Sequence, residues 1–212
     1  SFDSEENSGK INLQGYAKVS LNNTFNTGEK INFDFKSQKN QDRSLNSSVI
    51  FPYFLSSPFN LKYSLNLIQK DSSYTSNENS VDVELNLNKV KVGVGFQKNE
   101  SYSVGQIEFI ENFNSKLFNF SSEYFIQDLD DKLISEKFRL IVKYGTGKKI
   151  QLNNETNLNK YKLELIKKFN FSSRFKLLSS IVKEKINSKN LVNNELIRFG
   201  GSNSIRGFDD NS

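Results

Sequence analysis

The sequence predicts an all-β, antiparallel chain built as a transmembrane β-barrel, and three observations carry that expectation. Apolar side chains recur at every second position through one segment after another, the period of a strand with one greasy face rather than of a helix. The apolar face is free of charge in the first ten segments, while the alternate face carries Lys18, Asp34, Lys62, Asp82, Glu84, Lys91, Glu123, Arg139, Lys143, Lys162 and Lys176. The composition is 35% hydrophobic and 13% aromatic, with 19 Phe and 8 Tyr, too aromatic for a disordered chain and lean for an ordinary core. A wall with one residue in two facing lipid, around a wet interior, reconciles the three.

The alternation opens at Ile11, Leu13, Gly15, Ala17, Val19 and Leu21, with Asn12, Gln14, Tyr16, Lys18 and Ser20 between them. After a turn at Asn26-Thr27-Gly28 it resumes at Ile31, Phe33 and Phe35, then at Leu45, Val49 and Phe51. Pro52 and Pro58 flank the next turn, where a missing N–H removes no ladder bond. Phe59, Leu61, Tyr63, Leu65 and Leu67 follow, then Val81, Val83, Leu85 and Leu87, then Val90, Val92, Val94 and Phe96. Further strands are expected over residues 118–126, 138–144, 161–165, 175–181 and 195–199. The total is about eleven, each near the ~9–11 residues that cross a bilayer when tilted. Residues 105–113 alone are ambiguous between a short helix and an irregular loop. A soluble β-sandwich or solenoid also alternates, though with fewer and shorter strands, and stays open on periodicity alone.

The chain lacks Cys, His, Met and Trp. No disulfide, thiolate nucleophile, His-ligated metal or Ser-His-Asp triad can be built, so no enzyme, catalytic residue, metal site or cofactor is expected. Lys+Arg 29 against Asp+Glu 24 gives a net charge of +5. The basic residues are scattered singly, as on solvated strand faces, rather than in the stripe that would bind nucleic acid. Gly145-Thr146-Gly147-Lys148-Lys149 lacks phosphate-loop spacing and a following helix, and reads as a strand end with a basic turn. Asp128, Asp130 and Asp131 lack calcium-loop spacing and read as a solvated turn. Asp82 and Glu84 share a face with lysines and read as charge balance in the lumen. With no start Met and no signal peptide at Ser1, the expectation is a mature or excised segment rather than a whole translated gene.

The end of the sequence adds a motif. Gly200-Gly201, followed by Ile205-Arg206-Gly207-Phe208, resembles the valine-or-isoleucine, arginine, glycine, aromatic signature of the Omp85 superfamily. These are outer-membrane barrels that insert or translocate other proteins, as in the BamA and TamA branch and the two-partner secretion transporters. Residues 21–29 are similar to the family's first hairpin, and residues 51–59 to its turn between the third and fourth strands.

The resemblance implies a sixteen-strand barrel, of which about eleven strands are present in residues 10–212, with residues 1–9 as the linker from periplasmic POTRA-like domains. It implies that Gly200, Gly201, Ile205, Arg206, Gly207 and Phe208 sit on a long loop folded into the lumen. Arg206 would pair with an acid on a later strand, outside this sequence. The strand through Ile11, Leu13, Gly15, Ala17, Val19 and Leu21 would form the lateral gate, its open edge a template for an incoming strand. The implied setting is the outer membrane of a Gram-negative bacterium. The implied partners are nascent outer-membrane proteins, the lipid bilayer and periplasmic or lipoprotein accessory subunits. An assembly factor is the leading reading; a two-partner secretion pore, a passive porin and a soluble β-rich binding module are the alternatives.

Overall fold

In the computed structural model the described residues are 2–4, 11–37, 42–70, 73–104, 110–131, 134–172 and 175–197. Strands dominate. A short ribbon pairs β1 (Phe2–Ser4) with β2 (Ile11–Leu13). The rest is one ten-stranded antiparallel sheet in sequential order. Its members are β3 (Gly15–Asn22), β4 (Lys30–Ser37), β5 (Arg43–Phe51), β6 (Phe59–Lys70) and β7 (Tyr74–Leu87). They continue as β8 (Val90–Ser103), β9 (Phe113–Gln127), β10 (Glu136–Gln151), β11 (Asn154–Asn170) and β12 (Lys176–Ser188). The sheet is not closed, and among the described residues no second layer packs on it. It is a stretch of barrel wall, not a sandwich.

The first ten expected strands are all present and consecutive. The eleventh, expected over 195–199, is not a strand where it is described. Asn193–Glu195 forms a 3-10 turn, and Leu196 and Ile197 are irregular. The reason is partly tertiary: Glu195 is spent in a buried ion pair with Lys149 of β10, and five residues of mixed pattern are too few to set a ladder register. An extra strand lies at the opposite end of the chain. Phe2–Ser4, inside the stretch read as a linker, pairs with Ile11–Leu13, and only Gln14 separates that segment from β3. The ambiguous 105–113 stretch has no regular structure at 110–112, where its description begins, and Phe113 opens β9.

The two faces separate as the alternation requires, except on β12, where the outward face beyond Ile181 carries Lys183 and Lys185 opposite Leu163 and Tyr161 and so is not free of charge. Val19, Phe33, Phe59, Val83, Val94, Phe118, Val142, Leu163 and Ile181 project from the apolar face and are exposed. The polar face encloses a cavity of about 760 Å³ lined by Lys62, Asp82, Glu84, Glu123, Lys143 and Glu184 among others. A continuous exposed apolar surface of this extent is unfavourable in water and favourable against acyl chains.

The two ends of the wall differ. One end carries the turns at 23–29, 52–58 and 88–89 and the described residues 128–131 and 171–172, and is called the turn end; the other end has a two-residue turn of its own at Leu152-Asn153. In the 23–29 turn, Glu29 accepts hydrogen bonds from the Phe25 and Thr27 amides at 2.7 and 3.2 Å and from the Thr27 hydroxyl at 2.6 Å. Asn23, Asn26 and Gly28 take the left-handed conformations this needs. At the other end, the loop end, strands β7 to β11 run to 14–17 residues. That exceeds the ~9–11 a bilayer requires. Their surplus lies at the loop end, where the outward face turns polar at Asn77, Asn79, Lys98, Lys116, Lys148 and Asn157.

Candidate functional site: the lumenal wall and the segment that enters it

The lumenal wall is a mosaic of paired charges. Lys62 stands opposite Asp82 in the ladder, and Lys91 binds Glu84 at 2.7 Å. Arg139 lies 3.3 Å from Glu123 and 2.6 Å from Glu136. Lys162 reaches Glu184 at 2.7 Å and Glu164 at 3.7 Å. Asp82 and Glu84 therefore serve as lumenal counter-charges, as their shared face with lysines predicts. The interior is wet and nearly balanced, a surface along which polar chain can lie without burying an unpaired charge.

At the loop end this wall becomes dry. The buried hydrophobic side chains among the described residues are Tyr74, Phe113, Leu117, Leu158 and Val192. Four come from the loop-end halves of β7, β9 and β11; the fifth comes from the segment that leaves β12. That segment turns into the concavity instead of pairing beside β12. The fully buried Lys149 ammonium donates to the Asn190 carbonyl at 2.9 Å and to Glu195 Oε2 at 2.7 Å. It also stands 5.9 Å from the centre of the Phe113 ring. Asn194 donates to the Ser101 hydroxyl at 2.8 Å and to the Glu111 carbonyl at 2.9 Å. Leu196 and Ile197 then line the lumenal cavity. Nothing in the sequence marked Lys149 and Glu195 for each other. They lie 46 residues apart, one in a supposed basic turn and the other in a supposed strand.

The Gly145–Lys149 stretch is the interior of β10, which rules out a phosphate loop. Gly147 is needed there for close approach, since a Cβ would run into the Lys116 carbonyl of β9. The Asp128–Asp131 turn is likewise not simply solvated. Buried Lys168 donates to Asp128 at 2.7 Å, Asp131 at 2.9 Å and the Ile134 carbonyl at 2.9 Å, and Lys176 reaches Asp131. The Lys168 ammonium holds the Asp128 carboxyl below its usual range.

Of the residues expected to carry function, Gly200, Gly201, Ile205, Arg206, Gly207 and Phe208 lie outside the described residues. Ile11 and Leu13 belong to β2 and are paired by Phe2–Ser4. Gly15, Ala17, Val19 and Leu21 belong to β3, which among the described residues pairs with β4 alone and so forms one edge of the described sheet. An added Cβ at Gly15 would meet nothing within 4 Å, so packing does not demand glycine there.

The wall, its wet lumen and the inward-turning segment are the setting in which the terminal motif gains meaning. The family model of the Omp85 superfamily domain matches residues 23–212. The chain belongs to the Omp85 superfamily. Omp85 proteins are outer-membrane β-barrels of Gram-negative bacteria or organelles, and they are non-enzymatic transport and assembly proteins. The match takes in every strand of the Omp85 sheet from β4 onward and the inward-turning segment. No curated protein matches the chain.

Proposed function

We propose that this Omp85 chain is barrel wall from an outer-membrane protein assembly factor of the BamA and TamA type, set in a bacterial outer membrane and templating nascent barrel strands at a lateral gate. The observation that supports this reading is the open edge of β3. Among the described residues, the eight of Gly15–Asn22 pair with a strand on one side only, and their apolar face is exposed. Unpaired backbone groups are costly in a bilayer, so such an edge drives pairing with an incoming strand without chemical fuel. Nascent outer-membrane proteins are the proposed clients, with periplasmic or lipoprotein accessory subunits. Arg206 would brace the lumenal loop whose root is fixed by Lys149, Asn194 and Glu195.

The β1–β2 register sharpens the gate. Phe2 pairs with Leu13 and Ser4 with Ile11, so any chain preceding Phe2 would run on alongside Gly15–Asn22. The edge therefore accepts either that flank or a client strand. The full-length protein, free of native cysteine over this region, lets a single Ala17→Cys or Val19→Cys report which. Disulfide or photochemical adducts with client strands are expected during assembly. Adducts only with residues upstream of Phe2 would move the gate one strand outward and overturn the assignment to residues 11–21. A two-partner secretion pore would instead show a secreted client cross-linking to lumenal positions such as Lys143→Cys, with no adduct at β3.

A further inference from the structure

The outward surface beyond the apolar band has its own order. Lys98 on β8, Lys116 on β9 and Lys148 on β10 stand opposite one another in a single cross-strand row. Lys98 and Lys116 are the next outward positions after Phe96 and Phe118, whose rings meet edge to face at 5.6 Å. Strands lie ~4.8 Å apart, so the three side chains are rooted within roughly 10 Å of one another. Like charges placed directly opposite in a ladder repel. Glu100 answers Lys98 at 2.7 Å and Glu155 answers Lys148 at 2.8 Å, the second pair more than half exposed. Lys116, also exposed, has no ion pair among the described residues, which leaves the row positive.

We propose that this row binds the phosphate of an anionic membrane lipid in the leaflet at the loop end, with the lipid's acyl chains lying along Phe96, Phe118 and Phe120. The inference rests on reading the sheet as membrane-spanning wall. Lipid phosphates sit at the depth where an apolar band ends, and a phosphate accepts from several ammonium groups at once. Lysines on flexible stems, each with three donors, adapt to a mobile headgroup better than a fixed fork does. The turn-end rim differs. There the outward face of β11 carries Phe169 with Lys167 folded over its ring at 4.9 Å, a single cation already engaged with an aromatic. The row thus assigns an anionic-lipid preference to one leaflet.

The test reconstitutes the full-length protein into vesicles of phosphatidylcholine mixed with phosphatidylglycerol, extracts it gently and counts retained lipids by native mass spectrometry. Wild type should retain phosphatidylglycerol over phosphatidylcholine. K98Q/K116Q/K148Q should lose that preference, on the order of fivefold per lysine, and the corresponding triple Lys→Arg protein should keep it. Equal retention by wild type and the Gln triple, with native heat-modifiable gel mobility in both, would overturn the proposal. Displacement by inorganic phosphate as effective as by added phosphatidylglycerol would also overturn it, marking a free-anion site. If the triple variant does not fold, K116Q alone decides, because Lys116 is the cation without an acidic partner. Failure of wild type to enter vesicles at all would instead strike the membrane-wall reading.

Discussion

The turn end and the loop end of the wall each bury a lumen-facing lysine, and they use it differently. Lys168 at the turn end is held by two carboxylates and a carbonyl from one short loop, 128–134, and Lys176 shares the load on Asp131. Lys149 at the loop end has one carboxylate, Glu195, and one carbonyl, both from a segment more than forty residues downstream. The first is a redundant clamp between neighbouring hairpins. The second is a long-range fastening that carries the only buried charge pair on this segment among the described residues, beside the neutral bonds of Asn194, and the dry cluster of Phe113, Leu117, Leu158 and Val192 lies at the same end of the lumen. Closure of the turn end is therefore built into local sequence, whereas the loop end depends on long-range contacts with the segment that leads to the terminal motif, of which Lys149–Glu195 is the charged one.

The sharpest way to break this contrast is Lys149→Met. It leaves Glu195 buried and unpaired, with a cost of about 3–5 kcal/mol. The expected result is release of residues 190–197 to protease and a lower midpoint of heat-modifiable gel mobility. Lys149→Met combined with Glu195→Leu should recover most of the loss, because removing both charges removes the desolvation cost as well. A single variant as protected as wild type would show that the fastening lies elsewhere.

Gly147→Ala comes next. Its Cβ would press on the Lys116 carbonyl and force β9 and β10 apart at the loop end, at about 1–3 kcal/mol. Faster hydrogen exchange should be confined to the loop-end halves of those two strands. Spread of the effect to the turn end would mean that the ends are coupled after all.

Lys168→Met should cost less than Lys149→Met. Asp128 is a quarter exposed and can turn to water, and Asp131 keeps Lys176. Exchange should rise over 128–135 while residues 190–197 stay protected. A loss as large as that at Lys149 would erase the distinction between clamp and fastening.

The same contrast explains what could be read from the sequence. The ten sheet strands and their faces were legible because an alternation such as Val81, Val83, Leu85, Leu87 has no other stable use. Strand length was not legible. β10 reads as 138–144 but runs over Glu136–Gln151, because beyond Tyr144 the outward positions are Thr146 and Lys148 and the hydrophobic signal stops while the ladder continues. Phe2–Ser4 is too short to show a period at all. Lys149 and Glu195 are coupled only through tertiary structure, and Glu195 sat in a stretch whose apolar neighbours mimicked one more strand. Candidate-site residues carried by a motif could be named from sequence; those that hold the motif's root could not.

The smallest effect is expected at Glu29, and it tests whether a turn-end device really is local. The Thr27 hydroxyl, then the Phe25 amide, hold its carboxyl down from 4.5 to about 2. A carboxyl whose folded value is depressed adds stability that is fully present above its unfolded value and is lost as pH falls through the folded one. The Glu29 contribution should therefore persist above about pH 4.5 and fade between there and about pH 2. Exchange at the Phe25 and Thr27 amides should accelerate in that window, and Glu29→Gln should remove the pH dependence at those two amides. Residues 190–197 should not respond to either change. If their protection falls together with that of the 23–29 turn, the turn end is not self-contained, and the two ends of the wall open as one unit.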